Sequence, residues 1–343
     1  FPYTTLFRSF EPASGAGEAT FLVLAATALR PPLAVERDRS SLFAAAANGA
    51  DWILLTHCSL GWQEDNGRRD WVDRLVALRE AGGLRTAVVD VADVFDEFAF
   101  GYPAPQAIRD FLAFARANWQ PPAPRFLLLV GDASYDFKDN WNFGTACPLP
   151  APLRYTEHFG ETAADDWYGR ASGEEALPEL AIGRLPAAGP AQAAAMVDKI
   201  IAYETAPNSK SWERRVLLVA DDYDADWEAV FETMNEDLAA LLPAGFAEPS
   251  RYYLEEYQDE SLAVSDLTAD FLAALGAGAL LVNYAGHGQQ ALWAEERILD
   301  NRGAPYRADL AGLENAGRLP FVVNLSCLTE YFQIGRASCR ERV

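Results

Sequence analysis

Eight short apolar runs recur along this chain with helix-length segments between them, and that alternation restricts the fold more than any other feature. The runs are DWILLTH (51–57), RTAVVDV (85–91), RFLLLVGD (125–132), ELAIGR (179–184), RRVLLVAD (214–221), SRYYLEE (250–256), GALLVNYAGHG (278–288) and LPFVVNLSC (319–327). Most are apolar nearly throughout, so both faces of each strand have to be covered. The cover is at hand in WVDRLVALREAG, PQAIRDFLAFARANW, PAQAAAMVDKIIAYE, DWEAVFETMNEDLAALL and LTADFLAALGAG, whose apolar residues recur at helical spacing. Strand, helix, strand in series predicts βαβ units and a three-layer α/β/α sandwich on a mostly parallel sheet. The sequence predicts two subdomains, 47–205 and 206–333, joined by the helix ending IIAYE and the turn TAPNSKS.

Other stretches break that rhythm. Residues 10–46, with the run FLVLAA and the pair Pro31-Pro32, read as a linker or the end of an upstream domain. Residues 133–178 are irregular and rich in Pro, Gly, Asn and acid, and a long stretch of that kind inside a compact unit is usually functional. Residues 1–9 (FPYTTLFRS) and 334–343 (IGRASCRERV) read like translated sequencing adapter, as in a metagenomic fragment, which leaves 10–333 as the expected native insert. Acidic residues number 50 against 28 basic ones, for a net charge of −22. That balance argues against nucleic-acid binding, which needs a basic footprint, and suits a surface that attracts cations. No apolar run is long enough for a membrane span. Setting Cys339 aside with the adapter-like end leaves Cys58, Cys147 and Cys327, which is no disulfide framework and suits a free thiol.

In open parallel sheets, chemistry gathers beyond the carboxyl ends of the strands. Two endings stand out there: His287 between glycines in NYAGHG, and Cys327 closing PFVVNLSC forty residues later. A cysteine nucleophile needs an imidazole nearby and donors for the oxyanion, and adjacent strands would bring both together. The N–H groups of Gly288 and Cys327 are the expected oxyanion donors. Carboxylates at Asp132, Asp136 and along DDYDAD (221–226) could bind a hard cation or act as turn and helix caps. The second run is no EF-hand, because counting from Asp222 puts Trp227 at position six and Thr233 at position twelve. His57 and Cys58 are adjacent at a strand end, so the period of two should turn their side chains apart. Cys147 and His158 receive no function.

The segments NYAGHGQQALWAEERILD and LPFVVNLSCLTEYF resemble the catalytic half of gingipain-type cysteine peptidases, which share the caspase-like fold. Upstream, LLLVGDASYDFKDN, DDWYGR, ELAIGRLPA and VDKIIAYE resemble the first half of the same domain in order, so the likeness runs over about 47–333. The resemblance implies Cys327 as nucleophile, His287 as general acid toward the leaving amine, Gly288 with Cys327 as oxyanion hole, and a polypeptide substrate. It implies Asp165 of DDWYGR as the carboxylate of the primary specificity pocket, favouring Arg or Lys before the scissile bond. Glu157 and Glu161 are both candidates for the carboxylate that orients the histidine. No cofactor is required, Ca2+ is possible, and a secreted or cell-surface bacterial location is expected. A sortase-like transpeptidase would use the same pair, and a non-catalytic α/β binding module is the reading outside enzymology. With the insert ending soon after Cys327, the helix that follows in that family is expected to be absent and apolar sheet surface to be exposed.

Overall fold

The structure, a computed structural model, describes residues 41–61, 70–141, 144, 147–157, 160–170, 177–206, 211–223, 225–329 and 333–334. Residues 10–40 of the expected linker, both adapter-like ends except Ile334, Asp224 and His158 lie outside the described residues.

Two four-stranded parallel sheets carry the chain. The first has strands β1 (Trp52–Thr56), β2 (Thr86–Asp90), β3 (Phe126–Val130) and β7 (Ala181–Leu185) in the order β2-β1-β3-β7. The second has β8 (Val216–Ala220), β9 (Ser250–Tyr253), β10 (Leu281–Ala285) and β14 (Phe321–Leu325) in the order β14-β10-β8-β9. All eight strands come from the eight apolar runs, and the two sets do not interleave in sequence. The single mostly parallel sheet expected from the sequence is thus resolved into two, with no ladder between them among the described residues.

Each sheet is the middle of three layers, and the period of two decides what each side chain meets. Ile53 and Leu55 of β1 pack with Leu127 and Leu129 against helices α2 (Val91–Ala99) and α3 (Pro105–Asn118). Trp52 and Leu54, one residue out of phase, pack against α1 (Asp70–Ala81) and α4 (Pro190–Thr205). In the second sheet Leu217, Val219, Val282 and Tyr284 face α6 (Leu254–Asp259) and α7 (Val264–Ala277). Val216, Leu218 and Leu281 face α5 (Val230–Leu241). Burying each such aliphatic side chain contributes about 1.5–3 kcal/mol, which is why the continuous apolar runs, and not alternating ones, mark this architecture. Strand β14 is the exception: it lies at an edge, with Phe321 69% exposed.

Two helices were not expected. Val91, read as the end of a strand, opens α2 because the Asp90 carboxylate accepts the N–H of Ala92 as an N-cap. The run SRYYLEE likewise ends as strand at Tyr253, and Leu254 begins α6. Within 133–178 the expected irregularity gives way to short elements: β4 (Ala133–Ser134), then a hairpin of β5 (Leu153–Thr156) and β6 (Gly160–Ala163), and a short 3-10 turn at Asp165–Gly169. A three-strand antiparallel ribbon, β11 (Gly288–Gln289), β12 (Leu292–Trp293) and β13 (Leu299–Asp300), follows β10. Strand β15 (Gln333–Ile334) pairs with β4, so Ile334, set aside with the adapter-like end, belongs to a ladder.

Candidate active site

The register of β10 and β14 sets the site. The two strands are adjacent and parallel, with Ala285 opposite Leu325. His287 and Cys327 each lie two residues past that last pair, so they leave the sheet at the same level from strands about 4.8 Å apart. The expectation that this histidine and this cysteine share one rim of one sheet is what the register gives.

His287 is held at three points. Its backbone N–H donates to Asp221 Oδ2 at 2.9 Å, its carbonyl accepts Tyr284 O–H at 2.5 Å and Ala294 N–H at 2.9 Å, and its ring Nε2 lies 2.8 Å from Glu228 Oε1. Phe231 meets the imidazole edge-on, with ring centres 5.4 Å apart. Glu228 is buried and its second oxygen accepts Ala225 N–H at 2.9 Å, which fixes the carboxylate before the ring arrives. The bond to Glu228 raises the His287 pKa above its usual 6.5, against the opposing effect of burial and with help from the charge of Asp221. With Nε2 engaged, Nδ1 is the nitrogen left to face a substrate. Asp221 is itself buried at the end of β8, and that burial, reinforced by Asp222 and Glu296 and opposed by the His287 N–H, pushes its carboxyl up to about 7.

Two glycines bring these turns into contact. A Cβ on Gly288 would sit 2.6 Å from Thr329 Cγ2 and 2.8 Å from the Cys327 carbonyl oxygen, so only glycine lets the His287 turn lie against the Cys327 turn. A Cβ on Gly286 would sit 2.6 Å from both Asp221 Cβ and the Tyr284 hydroxyl. The flanking glycines, expected to admit substrate, therefore also let the protein close on itself. The Cys327 thiol is exposed, and Leu328 right after it has φ 60°, a left-handed conformation that costs a branched residue about 1–2 kcal/mol. The sharp turn leaves Cys327 out at the rim. In β11, Gly288 pairs with Trp293, while His287 next to it accepts the Ala294 N–H. By the alternation of an antiparallel ladder, the N–H of Gly288 then points away from its hairpin partner.

The model of peptidase family C25 matches residues 45–343. The chain belongs to peptidase family C25. Among solved structures, this C25 chain is similar to the Arg-specific cysteine proteinase gingipain R (RgpB), at 19% identity and a TM-score of 0.58 over 84% of this chain and 56% of that one. It is also similar to the complex of the RgpB pro- and mature domains of Porphyromonas gingivalis, at 19% identity and a TM-score of 0.56 over 80% of this chain and 55% of that one. The C25 chain thus spans a little over half the length of those structures, and the likeness carries the caspase-like gingipain fold. No curated protein matches it significantly.

The other expected site residues of the C25 chain fall elsewhere. Asp165 is largely buried against Arg184 of β7, whose Nε and Nη2 donate to its two carboxylate oxygens at 2.6 and 2.9 Å. With both oxygens engaged, it is a structural partner here, and the expected role in a basic specificity pocket has no support from the geometry. Glu157 and Glu161 lie at the β5–β6 hairpin, and the carboxylate on His287 is neither of them but Glu228. Strands β8 and β10 are neighbours, so the loop after β8 runs past the loop after β10. His57 and Cys58 do not diverge as expected. The strand ends at Thr56 and a 3-10 turn begins at Cys58, which brings Sγ to 3.9 Å from His57 Nδ1. Cys147 is buried, its thiol pushed up to about 11.

Asp136 accepts the N–H of Trp141 and the amide of Asn140, both at 2.7 Å, which is the turn role expected as one option. Asp221 and Asp222 bring one carboxylate oxygen each within 4.8 Å of one from Glu296, a spacing a hard cation could span. A cleft of about 940 Å³ opens between α4 and α7, lined by Met196, Phe271, Leu275, Val282 and Val322. Its lining also takes in Gln289, Asn324 and Thr329, so it reaches the His287 and Cys327 turns from the side of the second sheet opposite Phe231 and α5. No described helix is long and apolar enough to cross a membrane.

Proposed function

We propose that this chain carries the catalytic centre of a cysteine endopeptidase, with Cys327 as nucleophile and His287 as proton carrier. The observation that carries the reading is the register of β10 and β14, which sends both residues off one rim at one level, with Gly288 packed on the Cys327 turn. The Cys327 thiolate attacks the scissile carbonyl carbon and the carbonyl electrons move to oxygen. The N–H groups of Gly288 and Cys327 donate to that oxyanion in this reading. As the tetrahedral intermediate collapses, the C–N bond breaks and the His287 imidazolium gives its Nδ1 proton to the departing amine. Water then attacks the thioester carbon, losing a proton to the now neutral imidazole. The acid leaves and the sulfur is released for another round.

Glu228 serves this cycle by holding Nε2, so that the ring presents Nδ1 outward and stays protonated to higher pH. A hard cation such as Ca2+ would find its ligands at Asp221, Asp222 and Glu296, behind the histidine and outside the bond-making steps. The test is turnover of peptide esters bearing Arg, Lys or a neutral residue before the scissile bond, with Cys327→Ala as control. Hydrolysis that survives the substitution would sink the proposal. Labelling of Cys327 by iodoacetamide no faster than that of Cys147 would leave the chain a binding module.

A further inference from the structure

We propose that Trp227 and Val230, backed by Phe231, form the subsite for the first residue on the leaving-group side of the scissile bond, and that this subsite takes an apolar side chain. The inference rests on the peptidase reading above. In that reading His287 hands its proton to the departing amine, so whatever stands beside the imidazole faces the part of the substrate that departs.

What stands there is a row of aromatic rings. Phe231 lies edge-on to His287 with centres 5.4 Å apart, and Trp227 lies edge-on to Phe231 with centres 6.3 Å apart. The row ends in solvent, where Trp227 is 65% exposed and Val230 42%. Single exposed apolar residues need no explanation, but these belong to a pattern. Trp227, Val230 and Met234 follow one another at helical spacing on the outward side of the 3-10 turn Asp226–Ala229 and of α5, where solvent would favour charge. The inward side of the same segment carries Glu228, the carboxylate that holds His287. One segment therefore positions the proton donor with one face and offers an apolar wall with the next. An apolar wall that runs ring by ring up to His287 is the kind of lining that ligand sites carry beside a few polar groups. A large, rigid aromatic ring gains the most from burial under a ligand side chain. The charges of Glu228, Asp221 and Glu295 all act on His287, so an acidic leaving-side residue would meet like charge.

The test uses the Cys327→Ala chain and three peptides spanning the bond, alike except for Leu, Gly or Glu at the first leaving-side position. Calorimetry should give affinities in the order Leu, Gly, Glu, with Leu over Gly by about tenfold, the discrimination usual for an apolar pocket. Adding Trp227→Ala should bring the Leu-to-Gly ratio close to one, and Val230→Glu should do the same. Because the readout is a ratio, a variant that is only partly folded still reports. Equal binding of Leu and Gly peptides, or a ratio untouched by both substitutions, would overturn the subsite. A parallel arm treats the unmodified chain with a peptidyl chloromethyl ketone, which carries nothing on the leaving side. Alkylated Cys327 without a Leu preference rejects the subsite alone, whereas unlabelled Cys327 rejects the peptidase reading and the subsite with it.

Discussion

Both sheets end in a rim that carries a histidine, a cysteine and carboxylates, yet the two rims are built to opposite ends. At the first, the polar groups are used up by the protein. His57 caps the 3-10 turn it precedes, Asp90 caps α2 and accepts the Cys58 N–H at 3.1 Å, and Asp165 is locked to Arg184. Burial and the charge of Asp90 push the Cys58 thiol above its usual pKa, which disfavours its thiolate even beside an imidazole. At the second rim the histidine is gripped by groups behind it, Asp221, Tyr284 and Glu228, and the cysteine comes from a different strand. If the second rim is the catalytic one, as proposed, closeness in sequence is a poor guide to a dyad. What matters is whether the surrounding groups hold the imidazole from behind and leave a nitrogen free.

The largest break in this comparison should come from deleting each thiol. Cys327→Ala should lower peptide-ester turnover by about a thousandfold or more, since removing a nucleophile removes the covalent step. Cys58→Ala should leave it within about twofold. Comparable losses in the two variants would mean that the rims are not different in kind.

The Asp165–Arg184 pair should sharpen the first rim's role as scaffold. Asp165→Asn leaves a largely buried guanidinium facing a neutral partner, and unfolding by urea should show a loss of about 3 kcal/mol. The ratio of turnover on Arg against neutral esters should not change. A collapse of Arg preference with stability intact would restore Asp165 to a specificity pocket.

Much of this was legible in the residues. The eight apolar runs became the eight strands of the two parallel sheets, because a strand buried on both faces has to be apolar throughout and few other elements do. His287 and Cys327 stood out since strand ends of such sheets are where side chains reach a ligand. Glu228 did not stand out, because nothing local distinguishes it within DWEAVF. Its role follows from β8 lying next to β10, which is a fact of topology. The helices α2 and α6 were hidden for a different reason: each begins directly at a strand end, so the apolar run passes through the boundary with no punctuating glycine or proline. The contact of His57 with Cys58 was missed because the period of two stops where the strand stops.

Glu228→Gln probes the second rim's grip. The amide keeps the shape and removes the charge, and turnover should fall about a hundredfold with KM little changed, the scale of a displaced general acid. The sign of the pH effect is fixed by the direction of the shift. Glu228 raises the His287 pKa above 6.5, so the imidazolium persists to higher pH in the unmodified chain. In the variant the alkaline limb of the rate profile should move to lower pH. The same bond stabilises the fold fully below pH 6.5 and less as pH rises through the raised value, so the stability gap between the two proteins should narrow on the alkaline side. A limb that stays in place would show that Glu228 is no partner of the catalytic imidazole.

The smallest effect should be in thiol chemistry itself, and it tests the comparison without any substrate. Only the thiolate is alkylated, so rate follows thiolate fraction and access. Cys58 is held back by burial and by Asp90, and it is the harder comparison because both it and Cys327 reach solvent. Iodoacetamide at neutral pH, read by peptide mass mapping, should label Cys327 faster than Cys58, whose thiol is held above its usual pKa. Raising the pH should narrow that ratio, because Cys58 gains thiolate as the pH approaches its raised pKa. A ratio near one at every pH would mean that the grip on His287 does nothing for the Cys327 sulfur, and the difference between the rims would reduce to packing.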